Sequence, residues 1–561
     1  MISRREFFQV AAATAAILPN GWTRAVAQQR LTQAELLAFE PLGNVTLLHV
    51  TDVHGQLMPV HFREPSTNIG VGDAKGQPPH VTGKDYLARF GIAERSASAY
   101  ALTPEDFAAL AQSYGRIGGL DRLATAVKAA RAQRGNDKVL LLDGGDTWQG
   151  SLGANRTRGQ DMADCFKLLK PDAMTGHWEF TYGTDRVKEL ADTLDFPFLA
   201  LNVRDTEWQE PVFPPYKMFE KGGVKIAVLG QAFPYTPVAN PRWMIPTWSF
   251  GIREEDVRAN VEKVRKEGAQ LVVLLSHNGF DVDRKLAGRV AGIDVILTGH
   301  THDALPEVVK VGTTLLMASG SHGKFLSRLD LDVQGGAVKQ FRYKLIPLFA
   351  DAIAPDAEMA AAIAKARAPF AAELAREVGR TESLLYRRGN FAGSFDDLIC
   401  DALLAERDAE IALSPGFRWG TSVLPGAAIT VEDIHNATAV TYPQVYRQKM
   451  TGERLKEILE DVADNLFNPD PYYQQGGDMV RCGGLGYTID IGKPMGRRIS
   501  GLTHLKSGQS IEATREYTVA GWASVNEGTE GPPVWELVEK YVVRKKTVKV
   551  EAGTVVKVIG G

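Results

Sequence analysis

The sequence predicts an α/β protein, with a layered α/β domain over residues 28–350 and a second α/β domain over 381–561. Three observations predict it. Short apolar, β-branched runs alternate with stretches of helical periodicity as far as about Leu348. An Ala-rich, mixed-charge stretch then interrupts that rhythm, and a fresh set of strand and helix patterns follows it. The size and composition agree: 561 residues, 44% hydrophobic and 23% charged, describe a folded body of enzyme size and exclude disordered, collagen-like and disulfide-stapled classes.

The first 27 residues read as an address rather than as part of the fold. Arg4-Arg5 and Phe7 precede the apolar run Val10 to Leu18 and the small-x-small site Ala25-Val26-Ala27. The pattern resembles a cleavable twin-arginine export signal, which places the mature chain, from Gln28, in a bacterial periplasm. The run is too short to span a bilayer, and no later segment reaches the roughly 18 consecutive apolar residues of a spanning helix. No membrane association is expected after signal removal.

Buried strands are expected at Val45–Val50, Val139–Asp143, Val224–Leu229, Leu271–Leu275 and Asp294–Thr298, each an apolar run bounded by Gly or polar residues. Residues 60–115, with Gly76-Gln77-Pro78-Pro79, break the pattern and read as an insertion or lid. The segment 351–380 reads as a helical connector that Pro369 should break or kink. Beyond it, strands are expected at Ile411–Leu413, Ala428–Val431, Tyr517–Ala520 and Thr547–Val550, and helices around 395–406 and 452–466.

Charge and cysteine content narrow the partners. The formal charge is -3, from 64 Lys+Arg against 67 Asp+Glu, so no bulk positive field draws nucleic acid. The three cysteines, Cys165, Cys400 and Cys482, are too few for a disulfide framework, and their spacing matches no zinc finger. Any metal must be held by histidines and carboxylates. A monomer is the expected state.

Five short segments share one position, the turn after an expected strand. They are Asp52-Val53-His54, Gly144-Gly145-Asp146, Gly176-His177-Trp178-Glu179, Ser276-His277-Asn278-Gly279 and Gly299-His300-Thr301-His302. Taken singly, the first four read more readily as a turn, a cap or a surface histidine, and Gly299–His302 reads either way. Loops leaving the carboxyl ends of parallel strands converge on one crevice, so together these side chains can meet across 250 residues. Two Asp and five His suffice for two cations sharing a carboxylate, and nitrogen and oxygen donors without sulfur suit Mn, Zn or Fe.

The order of these motifs is similar to that of the calcineurin-like metallophosphoesterases. The C-terminal half, with Ala409–Gly416 and Ile429–Asp433, resembles the 5'-nucleotidase family. That resemblance covers nearly the whole mature chain. It implies a four-layer α/β/β/α metallophosphoesterase sandwich with a 5'-nucleotidase-type C-terminal domain, two divalent metal ions and a cleft between the domains. It makes Asp52, His54, Asp146 and His302 ligands of one metal or of the bridge, and Asp146, His177, His277 and His300 those of the other.

The third motif departs from the family pattern. Where the phosphoesterases have Gly-Asn-His-Glu, this chain has Gly176-His177-Trp178-Glu179, so the catalytic His is replaced by Trp178. Trp cannot protonate an alkoxide, and loss of a general acid costs about 10²–10⁴ in rate. A thiol, with a pKa of about 8.5, leaves as an anion where an alkoxide would not. This substitution, with Asp143–Ser151, resembles the SoxB family of thiosulfohydrolases. The resemblance implies hydrolysis of the terminal sulfonate of a cysteine S-thiosulfonate on a SoxYZ-like carrier protein, releasing sulfate in thiosulfate oxidation, with two Mn²⁺. Trp178 is then a wall of the site and Arg418, in Gly416-Phe417-Arg418-Trp419, a sulfonate contact. Arg387, Arg388, Arg447 and Arg481 are weaker candidates, and Tyr472-Tyr473 occupies the place of a base-stacking aromatic. The alternatives are a periplasmic 5'-nucleotidase or cyclic-nucleotide phosphodiesterase that tolerates Trp178, and a binding protein on a decayed phosphatase fold.

Overall fold

The computed structural model describes residues 31–550 and 555–560. The expected export signal lies outside them.

Two sheets stack face to face. One runs in the order Ala337–Pro347, Phe325–Gln334, Val45–Val50, Val139–Asp143, Ala173–Met174. The other runs Val309–Val311, Thr314–Ala318, Val295–Thr298, Leu271–Ser276, Val224–Gln231, Tyr216–Lys221. Alternation along each strand explains the layering, because successive side chains point to opposite faces. Val45 and Leu47 join Leu140, Leu142, Val273 and Leu275 between the sheets. Leu48, Val50 and Leu141 face an outer helical layer that includes Leu120–Arg134. Val272 and Leu274 face a second outer layer with Glu254–Lys266 and Phe280–Arg289. The result is the four-layer α/β/β/α sandwich.

Its central strands are parallel, Val45–Val50 to Val139–Asp143 and Leu271–Ser276 to Val295–Thr298, so their carboxyl ends share one edge of the sandwich. The antiparallel hairpin of Phe325–Gln334 and Ala337–Pro347 was not anticipated.

The helical connector ends earlier than expected. Ala357–Arg367 is α-helical, Pro369 falls in a 3-10 turn over Ala368–Phe370, and a last short helix closes at Leu374. Glu377–Thr381 is instead a strand, with Val378 and Thr381 buried, held by pairing with Ala428–Thr430 and Thr547–Val548. Past it lies a four-stranded sheet in the order Val445–Thr451, Glu516–Trp522, Ile411–Gly416, Asp478–Gly483. Helix Ser394–Arg407 packs on one face and Gly452–Phe467 on the other.

Residues 60–115 hold three short helices, Gly83–Arg89, Ala97–Leu102 and Phe107–Tyr114. The stretch before them straps the two α/β regions together. The carbonyls of His61 and Thr67 accept from the Ser422 and Asn390 N–H groups at 2.7 and 3.1 Å, while Glu64 pairs with fully buried Lys324. Cys165, Cys400 and Cys482 are all buried and unpaired. Among the described residues, no helix is long and apolar enough to cross a membrane.

Candidate metal centre and cleft

The donors sit where the strands end. The first two motif loops are stitched together: the Asp52 N–H donates to the Gly145 carbonyl and the His54 N–H to the Asp146 carbonyl, both at 2.8 Å. Gly145, at φ 90°, has no room for a Cβ, which would sit 2.8 Å from Gly176 Cα. Asp52, His54, Asp146, His300 and His302 have φ of 54°, 50°, 54°, 74° and 59°. This left-handed region costs a non-glycine residue about 1–3 kcal/mol and persists where the surroundings hold it. Here backbone hydrogen bonds do so, and strain concentrated on five of the seven expected donors marks a functional centre.

Two groups of donor atoms result, Asp52, His54, Asp146, His302 and Asp146, His177, His277, His300, with the atoms of each group within 4.8 Å of one another. Asp146 belongs to both. Its Oδ2 lies 3.0 Å from His277 Nε2, 3.2 Å from His177 Nδ1 and 3.7 Å from His54 Nε2. Asp52 Oδ1 lies 3.2 Å from His302 Nε2 and 3.7 Å from His277 Nε2. His54 and His302 turn their Nε2 atoms towards each other at 3.0 Å, a contact that needs a shared proton or cation.

The rings are oriented from behind. His277 Nδ1 donates to the Gly144 carbonyl at 2.6 Å, which turns Nε2 to the cluster, and His177 Nε2 meets Asn240 Oδ1 at 3.1 Å, which turns Nδ1 there. Glu179 gathers the N–H groups of His177, Thr147 and Trp148 at 2.8, 2.6 and 3.2 Å, so the last residue of the third motif braces the loops. Burial lowers His54 to about 4, and with neighbouring cations it holds His300 and His302 well below the usual range, as neutral ligands require. Burial opposes a charged His277, yet the Asp146 and Asp52 carboxylates lift it to about 10. Burial likewise opposes ionised Asp146, but His177 and His277 keep it well below the carboxylate range. A cluster whose carboxylate attracts protons onto imidazole in this way fits a pair of divalent cations.

A cleft of about 320 Å³ opens from this centre between the sandwich and the C-terminal region. Trp178 forms its wall and is nearly buried, edge-on to Phe417 at 5.2 Å and to Trp419 at 4.8 Å. Arg418 lines the cleft, 4.0 Å from Asp478, with Nε and Nη1 free of hydrogen-bond partners. Gly476, at φ 78°, lets its loop pass over His300, because a Cβ there would overlap the ring.

The weaker candidates separate. Arg387 and Arg481 brace Asp396 inside the C-terminal region, and Arg447 holds the carbonyls of Arg407 and Asp408 at the surface. Arg388 stands nearer the centre, donating to the Thr301 carbonyl at 2.9 Å. Tyr472 bonds Glu254 at 2.8 Å under Lys285, and Tyr473 is 65% exposed. Trp148 is core.

Sequence reasoning missed three neighbours of the centre: Trp419, stacked on His54 at 5.3 Å; Asn240; and His322, which lies 5.8 Å from His54 and accepts the Gly420 N–H at 3.2 Å. Only the Ser321-His322-Gly323 turn after a strand resembles the other motifs, and it could have been read with them.

Comparison with known proteins agrees with this geometry. The family described as 5'-nucleotidase, C-terminal domain, matches residues 377–537. The rat 5'-nucleotidase is 28% identical over 67% of this chain and 70% of its own length, and the Naja atra venom 5'-nucleotidase is 28% identical over 51% of this chain and 59% of its own. The match thus spans less than two thirds of the cobra enzyme. A Thermus thermophilus 5'-nucleotidase precursor shares the fold at 21% identity and a TM-score of 0.72, covering 92% of this chain and all of its own. The fold and the paired clusters define a hydrolase of the 5'-nucleotidase and calcineurin-like metallophosphoesterase superfamily. Within it, the sulfate thiohydrolase SoxB of Thermus thermophilus, solved with glycerol, superposes with a TM-score of 0.90 at 36% identity, over 93% of this chain and 98% of its own. The chain belongs to the SoxB family.

Proposed function

We propose that this protein hydrolyses the terminal sulfonate of a cysteine S-thiosulfonate borne by a SoxYZ-like carrier, releasing sulfate during thiosulfate oxidation in the periplasm. One observation carries the reading: the donor clusters are complete, while Trp178 stands where the phosphoesterases keep a proton-donating His. The Thermus relative is a sulfate thiohydrolase, which supports it.

Asp52, His54, Asp146 and His302 would hold one cation, and Asp146, His177, His277 and His300 the other, manganese being the metal proposed. When bound, such a pair supplies Lewis-acid clamping of an anionic oxygen group and a water of lowered pKa. The chain's own residues do the rest. Arg418 presents unpartnered N–H groups to a sulfonate oxygen, a charge-assisted contact beside the donor clusters, where its charge is felt at His300 and His302. Trp178, packed by Phe417 and Trp419, excludes water from the leaving side and offers it no proton. The departing sulfur then leaves as an anion.

The test is sulfate release from thiosulfonated carrier beside AMP hydrolysis, each with and without manganese. Manganese-dependent sulfate release with negligible AMP turnover is expected. Brisk AMP hydrolysis without sulfate release would establish the 5'-nucleotidase instead, and no stoichiometric metal would leave only a binding protein.

A further inference from the structure

We propose that Asn240 is a catalytic hydrogen-bond donor to the departing sulfur, a role that rests on the thiosulfohydrolase reading. Asn240 ends the short helix Thr236–Ala239, in the loop that also supplies Phe233 and Val238 to the cleft. It is 3% exposed, yet it lines the cleft beside Trp178.

Its orientation is set by His177. That ring turns Nδ1 to Asp146 Oδ2 at 3.2 Å, so with a cation held by both its proton sits on Nε2, which donates to Asn240 Oδ1 at 3.1 Å. The carboxamide is then fixed with its oxygen engaged, and its Nδ2 has no hydrogen-bond partner. A buried amide N–H is costly to leave unpaired, and the space it adjoins is where substrate must lie. The Tyr442 phenol already feels this side chain weakly, Asn240 offsetting part of the rise that burial imposes on it, and an amide with two N–H groups keeps a second to offer.

The chemistry matches what Trp178 lacks. An alkoxide must be protonated to leave, which an amide cannot do. A departing sulfur anion needs only its charge stabilised, which an oriented N–H does. In the balanced step, RS–SO₃⁻ and water give RS⁻, sulfate and two protons. The S–S pair goes to the departing sulfur, water's oxygen bonds to the sulfonate sulfur, and its protons pass to solvent. Asn240 Nδ2 would meet the sulfur as the pair arrives.

Asn240→Asp tests this, because it keeps an acceptor for His177 and removes the donor. Manganese-loaded wild type, Asn240→Asp and Tyr442→Phe are compared on thiosulfonated carrier and on S-benzyl and S-(4-nitrophenyl) thiosulfate, with bound metal and Tm measured throughout. Asn240→Asp should retain its metal and KM, while kcat falls about tenfold to a hundredfold on the carrier and the benzyl ester. On the nitrophenyl ester, whose thiolate needs little help, it should fall less than about threefold. Equal losses on both esters, no loss, or the same selective loss in Tyr442→Phe would overturn the assignment. A second arm needs no turnover: 4-nitrothiophenolate titrated in sulfate buffer should bind Asn240→Asp at least about fivefold more weakly, and equal affinity, or none in the wild type, counts against the donor. If wild type releases sulfate from no substrate, the thiosulfohydrolase reading fails, and the titration still judges Asn240.

Discussion

The two walls of the cleft are built on different terms. On the sandwich side every donor stands at a strand end, and two of the rings are held by named partners, His277 by Gly144 and His177 by Asn240, while His54 and His302 leave their Nδ1 atoms unpaired. On the opposite side Phe417 and Trp419 stack on each other, and Arg418 keeps two N–H donors without hydrogen-bond partners. The first wall gathers carboxylates and imidazoles around Asp146; the second offers aromatic faces and a guanidinium. On the proposed reaction both meet at the sulfonate, and selectivity for the leaving group falls to Trp178 and the aromatics packed on it.

Breaking the first wall should have the largest effect. Asp146→Ala removes the atom common to both clusters, so turnover should fall by about 10³-fold or more, with metal lost from both sites in elemental analysis. Chelation should do the same and lower Tm by several degrees, since a ligand at about 1,000 times its Kd contributes about 4 kcal/mol. A chelated protein with unchanged Tm would argue that the clusters bind nothing.

Changing Trp178, which leans from the sandwich against Phe417 and Trp419, or Arg418 opposite it should redirect chemistry rather than abolish it. Trp178→His restores a proton donor, and AMP hydrolysis should rise about 10²-fold, the lower end of what a general acid contributes. No rise on AMP would show that Trp178 is not what separates the two reactions. Arg418→Ala should raise KM for thiosulfonated carrier about tenfold to a hundredfold with metal content intact, whereas Arg447→Ala, at the surface, should leave KM alone. Tyr473→Ser is the smallest change, less than about twofold on either substrate, because the ring is mostly solvated and its neighbour Tyr472 anchors the loop.

The same contrast governs what was legible in the sequence. Strands Val45–Val50 and Val139–Asp143 fall on their expected bounds, because uninterrupted apolar runs ending in polar turns have one reading. The hairpin strand Phe325–Gln334 escaped because its Arg328 and Asp330 look solvent-facing, yet they pair with each other at 3.0 Å in a buried network. Likewise Glu377–Thr381 follows directly on helical sequence, and only its partners at 428–430 and 547–548 make it a strand. Within the site, the sandwich wall was readable because its donors come as short motifs after strands. Trp419 and Asn240 were not, because each gains its meaning from a contact made across the fold, whereas His322 stands in a turn after a strand as the motifs do and was legible beside them.

The buried cysteines carry a last consequence for chemistry at sulfur. Burial raises the thiols of Cys165 and Cys482 to about 12 and pushes Cys400 well above its ordinary value. No thiolate is therefore on offer at neutral pH, and thiolates are the species that attack S–S bonds. On the proposed reaction, an activated sulfur chain in the cleft would find no thiolate here to trap the protein as a mixed disulfide, and the reactive sulfur would stay with the carrier.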